Sequence, residues 1–361
     1  MHFKILTFLF LTTFVFLLIY SKLIYQDGNN IRNKILLRSE SNCECNNDKK
    51  IYIIRQNNSF QILFEKGQTK QMESIETYDI FKLNEMNLTC NLYNVLRRGK
   101  NQKVIGYSLY GKNEKYYINL KNITQQVKKL YPGWTIRIYH DNSIKKSIIC
   151  EIECLKEPDN SLTDIVDFCH INKLPQSFFG NKKWSASYIH SMAWRWLPLG
   201  DSFVNVFASR DLDSIIIQRE VDSVNVWLNS KKPGHIMRDN RAHGTLILGG
   251  MWGFNSQLDR KLSKEIFRRI LDRKESIKYN LGSRKGYDQY FLSNNVYPLI
   301  KRNSLIHDSY FCRLFKDSQP FPTRRKGNCF VGNHLCNENI IIFPDCPLQC
   351  RLVKHLDWKQ C

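Results

Sequence analysis

The sequence predicts an α/β fold in which a mixed or parallel sheet is flanked by helices. Short apolar runs that end at glycine or aspartate alternate, over residues 103–310, with segments whose apolar residues recur at helical spacing. Strands that alternate with helices pair in parallel through right-handed crossovers. The hydrophobic fraction of 42% and the charged fraction of 24% are ordinary for a folded domain, which excludes disorder for most of the 361 residues.

The first two strands of this sheet are predicted at residues 104–110 and 135–139. The earlier strand is a short apolar run closed by a glycine. Residues 115–130 between them form a predicted helix, which stops before the Pro-Gly pair at 132–133. The later strand ends at Asp141.

The second half of the predicted sheet follows the same alternation. A helix at 185–197 precedes a strand at 203–208, and a helix at 220–228 precedes a strand at 234–237. A further strand is predicted at 298–306. The region before residue 103 is polar and irregular, with short strands expected at its apolar runs, 51–54 and 60–64.

Two aspartates, Asp211 and Asp213, directly follow a predicted buried strand and flank Leu212. In an open α/β sheet, ligands bind beyond the carboxyl ends of the strands. A turn there can aim both carboxylates at one divalent cation while Leu212 faces the core. Hard oxygen ligands suit Mn²⁺ or Mg²⁺, which bridges diphosphate oxygens. The same Asp-x-Asp pattern also caps helices or solvates turns, and that alternative stays open.

Residues 5–20 form an uncharged apolar stretch near the N-terminus. At about 1.5 Å per residue it reaches roughly 24 Å, slightly less than the hydrocarbon core of a bilayer. The pair of small residues that marks signal cleavage is missing, which favours an anchor over a cleaved signal peptide. The sequence therefore predicts a cytoplasmic tip and signal-anchor helix at residues 1–22, followed by a stem and N-terminal cap at 23–100.

Twelve cysteines and three Asn-x-Ser/Thr sequons indicate a secretory compartment. An even cysteine count behind a secretory segment predicts disulfides. Zinc is the alternative, because His334 and His355 lie near Cys346 and Cys350, but the Cys-x-x-Cys pairs of zinc sites are absent. We expect a single-pass type II protein of the Golgi or endoplasmic reticulum membrane with its main domain in the lumen.

The net charge of +21 comes from 54 lysines and arginines against 33 aspartates and glutamates. These basic residues are scattered along the whole chain, and the sequence contains no dense basic run. Phosphate-backbone recognition would concentrate them on one surface. Nucleic acid is therefore not an expected partner.

Several segments together resemble the Asp-x-Asp glycosyltransferases of the GT-A fold, a Rossmann-type nucleotide-diphospho-sugar transferase fold. VNVFASRDLDS after SASYIHSMAWRWLPLGD is similar to the nucleotide-sugar-binding half, and VIGYSLYG with YPGWTIRIYHD to the first two strands. HIMRDNRAHGTLILGGMWG resembles the acceptor-side segment, and GYDQYFLSNNVYPLIKRNSLIHDSY the late Asp-Gln and His segments. The resemblance covers residues 103–310 without identifying a subfamily.

This resemblance implies a catalytic domain at residues 101–311 and leaves a disulfide-rich extension at 312–361. The implied activity is transfer of a sugar from a nucleotide-diphosphate donor to a glycan or glycoprotein acceptor, with Mn²⁺ (or Mg²⁺). One alternative is another metal-dependent nucleotidyl or phosphoryl transferase. The other is a non-catalytic, disulfide-stapled binding protein anchored to the membrane.

The resemblance also implies roles for individual residues. Asp211, Asp213 and His307 would hold the metal. Asp211 would also contact the donor, together with Arg195, whose guanidinium can bind the diphosphate in a bidentate manner. The remaining donor-binding residues, at the ends of the first two strands, would be Ser108, Tyr110, Arg137 and Asp141.

On the acceptor side, the resemblance implies contacts from Gly250, Trp252 and Arg238. Two carboxylates, Asp288 and Asp239, are the candidate catalytic residues, with Asp288 preferred. A carboxylate that removes the acceptor proton directly gives inversion of the sugar. Without such a base, retention by a front-face route follows, and the sequence leaves both outcomes open.

Overall fold

A computed structural model describes residues 34–41, 43–46, 50–56, 59–66, 71–79, 86–113, 115–159, 163–176, 183–280, 286–340 and 344–361. The predicted anchor at residues 5–20 lies outside these ranges. Within them, no helix is long and apolar enough to cross a bilayer. The chain divides into two compact units: the first includes Leu92–Gly99 with the residues up to Met86, and the second includes Asn87–Asn91 with Lys100–Cys361.

The first unit contains an antiparallel meander in which each strand pairs with the next along the chain. Ile51, Ile53 and Ile62 are buried at alternate positions, as the two-residue period of a strand requires. The short strands expected at 51–54 and 60–64 are thus present within longer ones. The elements are β1 (Lys34–Leu37), β2 (Lys50–Gln56), β3 (Ser59–Lys66), β4 (Gln71–Asp79) and helix α1 (Leu92–Arg98).

The second unit is built on a seven-stranded sheet, which confirms the predicted mixed α/β class. Its strands are β5 (Gln102–Leu109), β6 (Trp134–His140), β7 (Val166–His170), β10 (Val204–Ser209), β11 (Gly234–Arg238), β12 (Trp252–Asn255) and β13 (Ser304–Asp308). Their order is β13-β11-β12-β10-β5-β6-β7. All neighbours pair in parallel except β12, which runs antiparallel to both β10 and β11. Two short strands, β8 (Leu174–Pro175) and β9 (Lys183–Trp184), form a separate pair.

The helices of the second unit match the predicted order but differ in detail. They are α2 (Lys115–Leu130), α3 (Lys146–Glu153), a 3-10 helix (Ser191–Gly200), α4 (Gln218–Asn229), α5 (Arg260–Ile270), α6 (Arg273–Asn280), α7 (Tyr287–Phe291), a π turn (Leu292–Val296) and α8 (Tyr297–Ile300). The predicted strand at 298–306 begins only at Ser304, because a buried apolar run alone does not distinguish a helical turn from a strand.

The helix predicted at 185–197 is instead the 3-10 helix, shifted toward the C-terminus. Its backbone packs directly on β5: a Cβ atom at Gly106 would overlap the carbonyl group of Arg195. Ser108, two residues along the same face, accepts the Arg195 N–H at 3.0 Å. The other face of β5 packs with residues of α2 and α4 in the main hydrophobic core. The sheet is therefore covered on both faces, and Arg195 is fixed against its centre.

All twelve cysteines are disulfide-bonded, which confirms the disulfide prediction over the zinc alternative. The described pairs are Cys90–Cys169, Cys312–Cys350, Cys329–Cys336 and Cys346–Cys361. Within the described ranges, one group of potential metal ligands lies close together, Asp308 with Cys312 and Cys350. Those two cysteines form one disulfide, so they offer no thiolate to a metal.

Candidate active site

The Asp-x-Asp turn lies at the carboxyl end of β10, near the middle of the sheet. Arg210, the residue before the motif, donates its backbone N–H to the Gly106 carbonyl at 3.2 Å. Its side chain points into the protein, where Nε donates to Glu220 Oε1 at 2.7 Å. Leu212 is buried in the main core, as predicted. With Arg210 and Leu212 both facing inward, the carboxylate of Asp211 is left at the sheet edge, where 43% of its side chain is exposed.

Arg195 joins two of the predicted carboxylates. One terminal nitrogen, Nη1, contacts Asp211 Oδ1, and the other, Nη2, donates to Asp288 Oδ2 at 2.7 Å. Burial alone would lower the pKa of Arg195, but Asp211 and Asp288 outweigh it and raise the pKa above its ordinary value. The guanidinium is thus a permanent, almost fully buried positive charge held between two carboxylates, of which Asp211 faces solvent and Asp288 is buried.

Two adjacent glycines, Gly249 and Gly250, lie against this cluster just before β12. A Cβ atom at Gly249 would overlap the Asp288 carboxylate and the Arg195 guanidinium, and one at Gly250 would overlap the Asp211 carboxylate. The Ser209 hydroxyl donates to the Gly249 carbonyl at 2.6 Å and holds the pair in place. The main chain therefore approaches the charged groups more closely than any residue with a side chain would permit.

Asp213, the second aspartate, contacts His334, a histidine predicted from the sequence only as a possible zinc ligand. His334 Nδ1 lies 2.8 Å from the Asp213 carbonyl oxygen and 3.5 Å from its carboxylate Oδ2. A carbonyl oxygen only accepts a hydrogen bond, so the Nδ1 atom of His334 carries a proton. No local sequence pattern indicates this contact, since 121 positions separate the two residues.

A small, mainly apolar pocket opens beside Asp288. Trp196, Phe291 and Ile270 contribute its apolar wall, and His190 lines it together with Asp288. Burial lowers the pKa of His190, and Asp288 acts in the opposite direction. His190 also accepts the Met192 N–H at the start of the 3-10 helix. The structure thus adds an imidazole to the predicted site.

Tyr110 and Asp141 lie at the ends of β5 and β6, as expected. Tyr110 is half-exposed and packs edge-on against Trp194, with 5.8 Å between ring centroids. Burial raises the pKa of its hydroxyl. Asp141 Oδ1 accepts the Ser143 N–H at 2.9 Å and so closes the local turn. Their roles toward a donor remain predictions.

Arg137 lies in the interior instead of at the sheet edge. It is fully buried in an ion pair with Asp201, with 2.7 Å between Nη1 and Oδ2, and it donates to Gln102 at the same distance. Because Arg137 lies in the middle of β6, its side chain does not reach the carboxyl end where Asp211 is found. The structure gives it a structural ion pair, and we do not carry it forward as a donor contact.

Arg238 and Asp239, at the end of β11, also lie in buried ion pairs. Arg238 pairs with Asp308 at 2.5 Å. Asp239 accepts from Arg219 at 2.9 Å, Arg325 at 2.8 Å and the Val331 N–H at 2.9 Å. Burial would raise the pKa of Asp239, but the two arginines lower it far below its ordinary value. With no exposed surface, these two residues stabilise the fold instead of meeting an acceptor.

His307 is not brought to the two aspartates. It lies on β13, three strands from β10, which corresponds to about 14 Å across the sheet. Its ring nitrogens lie 3.0 Å from His235 Nε2 and 3.1 Å from Gln319 Nε2, and burial lowers its pKa to about 3. The sequence correctly places His307 near the carboxyl end of a strand, but the order of the strands separates it from Asp211.

Trp252, one of the predicted acceptor contacts, is fully buried. Its ring packs edge-on against Phe207 at 5.3 Å and Trp196 at 6.1 Å between centroids. The indole therefore belongs to the core between β10 and the 3-10 helix, and no ring face is open to a sugar.

No protein-family profile and no curated protein matches this sequence. Among solved structures, the galactosyltransferase LgtC in complex with donor and acceptor sugar analogues aligns with 57% of this chain and 73% of its own, at 14% identity and a TM-score of 0.36. The apo structure of WbbM, a bifunctional glycosyltransferase, aligns with 59% of this chain and 40% of its own, at 10% identity and a TM-score of 0.34. These neighbours are glycosyltransferases of low overall similarity to this protein.

Proposed function

We propose that the protein is a glycosyltransferase that moves a sugar from a nucleotide-diphosphate donor to a glycan or glycoprotein acceptor, with the help of a divalent cation. The observation that carries this proposal is the cluster of Arg195, Asp211 and Asp288 against Gly249–Gly250. It places a buried positive charge, a solvent-facing carboxylate and closely approaching main chain at the carboxyl edge of a mostly parallel sheet, where such folds bind ligands.

In this proposal the cation binds at Asp211 and Asp213. In the described residues the ligand atoms of these two aspartates and His334 do not all converge on one point, so the turn has to rearrange to hold an ion. Asp211 gives one oxygen to Arg195, while Oδ2 lies in the space that a side chain at position 250 would fill. Asp213 would supply the second carboxylate, and His334 Nδ1 lies 2.8 Å from the Asp213 carbonyl oxygen. Two carboxylates suit Mn²⁺ or Mg²⁺. A bound cation would neutralise charge on the departing diphosphate.

Arg195 and Asp288 take the remaining roles in this proposal. Arg195 holds Asp211 in place from the protein side and offers permanent positive charge to an anionic donor. Asp288 lines the small pocket together with His190, and in this proposal the acceptor enters there. We therefore retain Asp288 as the candidate catalytic carboxylate and assign Asp239 to the fold.

A secretory location completes the proposal. Disulfide bonding of all twelve cysteines is typical of an oxidising compartment such as the Golgi or endoplasmic reticulum lumen. We propose that residues 1–22 anchor the protein as a type II membrane protein.

The proposal is tested by thermal unfolding of the protein with a panel of nucleoside diphosphates, each with and without Mn²⁺. A ligand at 100 times its dissociation constant stabilises the folded state by about 2.7 kcal/mol. We expect stabilisation that requires both Mn²⁺ and one nucleoside diphosphate. The absence of a shift with every nucleotide would contradict the proposal.

The products separate the proposed activity from the nucleotidyl-transferase alternative. A glycosyltransferase given a nucleotide sugar breaks the bond between sugar and diphosphate and releases a nucleoside diphosphate. A nucleotidyl transferase breaks the phosphoanhydride, transfers the nucleoside monophosphate group to its acceptor and releases a sugar 1-phosphate. Chromatography of the reaction mixture distinguishes the two, and we expect the diphosphate.

A further inference from the structure

Two of the three Asn-x-Ser/Thr sequons lie within the described residues, and both place their asparagine at the surface. Asn87 begins the sequence Asn-Leu-Thr, and Asn122 begins Asn-Ile-Thr. Both asparagines are exposed. The third sequon, at Asn57, lies outside the described ranges, and the inference below does not include it.

Asn122 lies on the outer face of helix α2. Ile123 and Val127 of this helix are buried in the main core, so the other side, with Asn122 and Gln125, faces solvent. Ile118 lies about one turn before Asn122 on the same side and is 71% exposed. A glycan on Asn122 would therefore project into solvent and lie over an exposed apolar side chain.

Asn87 lies at the opposite end of β10 from the Asp-x-Asp turn. Its backbone N–H donates to Ser202 Oγ at 3.0 Å, and the Ser202 N–H donates to the Asn87 carbonyl at 2.9 Å. Ser202 comes shortly before β10, whereas Asp211 follows the strand at its carboxyl end. A glycan on Asn87 would therefore leave the candidate active site open.

The threonine hydroxyls of both sequons are buried, in contrast to the asparagines. Thr89 Oγ1 donates to Asp201 Oδ2 at 3.2 Å and lies 3.1 Å from the Tyr139 hydroxyl. Thr124 Oγ1 donates to the Leu120 carbonyl at 2.8 Å. The hydroxyl at the third position is part of the sequence that defines an acceptor asparagine. In the folded protein, neither sequon can be recognised through its hydroxyl.

We propose that Asn87 and Asn122 carry N-linked glycans that are attached before the chain folds. The donor is an oligosaccharide on a lipid diphosphate. The asparagine side-chain nitrogen forms a bond to C1 of the first sugar while the bond from C1 to the diphosphate breaks. The amide loses one proton, and the lipid diphosphate leaves. This inference rests on the proposed lumenal location and is independent of any sugar transfer by the protein itself.

The first experiment expresses the full chain in the secretory pathway of a eukaryotic cell. Peptide-N-glycosidase converts each glycosylated asparagine to aspartate, and peptide mass spectrometry then identifies the converted positions. We expect conversion at Asn87 and Asn122. Thr124→Ser should retain conversion at Asn122, and Thr124→Val should abolish it, because valine has nearly the same shape but no hydroxyl.

Lys231→Thr is the control for the compartment. It completes a sequon at Asn229, and both positions are exposed at the end of α4. If Asn229 is converted in this variant while Asn87 and Asn122 are not, the inference is overturned and the proposed location stands. If none of the three is converted, the location and the inference both fail. Conversion at only one of Asn87 and Asn122 overturns the inference for the other.

The second experiment tests the timing on chain made without glycans, in cells whose synthesis of the lipid-linked oligosaccharide is inhibited. The folded chain, and the same chain after reduction and alkylation, are each incubated with microsomal oligosaccharyltransferase and its lipid-linked donor. We expect modification of Asn87 and Asn122 only in the unfolded chain, where the hydroxyls of Thr89 and Thr124 are accessible. Equal modification of the folded chain would overturn the proposed timing.

If the chain without glycans does not fold, pulse-labelling of the wild type decides the timing. Cys90, the residue after Thr89, is disulfide-bonded to Cys169 across a sequence separation of 79, so this bond reports folding around the first sequon. We expect newly made chains that already carry the glycan on Asn87 while Cys90 is still a free thiol. Glycans found only on chains with the Cys90–Cys169 disulfide would contradict attachment before folding.

Discussion

Three contacts of the candidate site depend on Arg195 alone. Its guanidinium is nearly buried and satisfies Asp211 and Asp288 at the same time, while its backbone N–H bonds to Ser108. Loss of one partner of a buried ion pair leaves the other charge uncompensated. Substitutions at the carboxylates should therefore be conservative in shape, so that they test chemistry and not folding.

Asp288→Asn is expected to reduce sugar transfer at least 100-fold while Mn²⁺-dependent nucleotide binding stays within a few-fold of wild type. The amide preserves the shape of the side chain but does not accept a proton, and general-base catalysis contributes typically 10²–10⁴-fold. Transfer rates and nucleotide dissociation constants measured on the same preparation check this. Loss of nucleotide binding in parallel with transfer would argue against a catalytic role.

Gly250→Ala is expected to weaken Mn²⁺-dependent nucleotide binding at least tenfold, because the added methyl group would displace the Asp211 carboxylate. Gly253→Ala provides the contrast. Its Cβ atom would meet the Phe207 carbonyl at 2.7 Å and Trp227 at 3.0 Å, which are parts of the core. We expect that second variant to lower the melting temperature without a selective loss of affinity. The reverse pattern would contradict the placement of Gly250.

At the level of elements, the end of β11 connects the sheet to the disulfide-rich segment. Asp239 follows β11 directly and receives Arg219 from α4, Arg325, the Ser309 hydroxyl at 2.6 Å and the Val331 N–H. One carboxylate thus joins four separate stretches of chain. The segment after residue 311 is therefore part of the structure that supports the sheet.

Asp239→Asn is expected to cost about 3–5 kcal/mol of unfolding free energy, since it leaves two buried arginines without their charged partner. Denaturant unfolding monitored by fluorescence measures the change. Asp345→Asn is the matched control: its pair with Lys359 spans 3.7 Å, and both side chains are more than half exposed. Such a surface pair contributes about 0–1 kcal/mol. Similar losses in both variants would contradict the assignment.

The secondary structure shows which elements were predictable from sequence. Strands β5, β6 and β10 and helices α2 and α4 were predicted because their signals are local: apolar runs closed by Gly or Asp, and helical spacing. The 3-10 helix was not, because it depends on the contact with Gly106 of another strand. The helical turn at 297–300 looks like the start of a strand in the sequence, since a helical turn and a strand can both bury apolar residues.

The residues of the candidate site also differ in whether a local sequence pattern reveals them. Asp211 and Asp213 could be found because their position follows from one strand end. His334, which contacts Asp213, and Arg325, which pairs with Asp239, could not, because 121 and 86 positions separate the partners. The expectation that Arg137 contacts a donor fails for a related reason, because its pairing with Asp201 is visible only in three dimensions.

For the molecule as a whole, buried histidines set the response to acid. Burial lowers the pKa of His140 and His243 to about 4 and that of His307 to about 3, and it places the pKa of His235 well below its ordinary value. The folded protein keeps these rings neutral, whereas the unfolded chain protonates them below about pH 6.5. Their contribution to stability is therefore complete above pH 6.5 and is lost as the pH falls toward 4.

We expect the melting temperature to fall steeply between pH 7 and pH 5. At pH 5, each histidine whose folded pKa lies below that value favours the unfolded state by about 2 kcal/mol. Carboxylates with lowered pKa values, such as Asp239, titrate at lower pH and contribute little in this window. Melting curves of wild type and His307→Gln test this, and the variant should show a shallower decline. Identical declines would exclude His307 as a contributor.

The direction of β12 has a practical consequence for anyone who labels this protein. Because β12 runs against its neighbours, its leading end meets Asp211, and the chain then crosses to the far rim of the sheet. The connection from β12 to α5 begins there and includes Gln257 and Leu258, both exposed, and the Gln257 N–H donates to the Asn205 carbonyl at the start of β10. A fluorophore or an affinity tag grafted there would report on the protein from the rim farthest from the Asp-x-Asp turn.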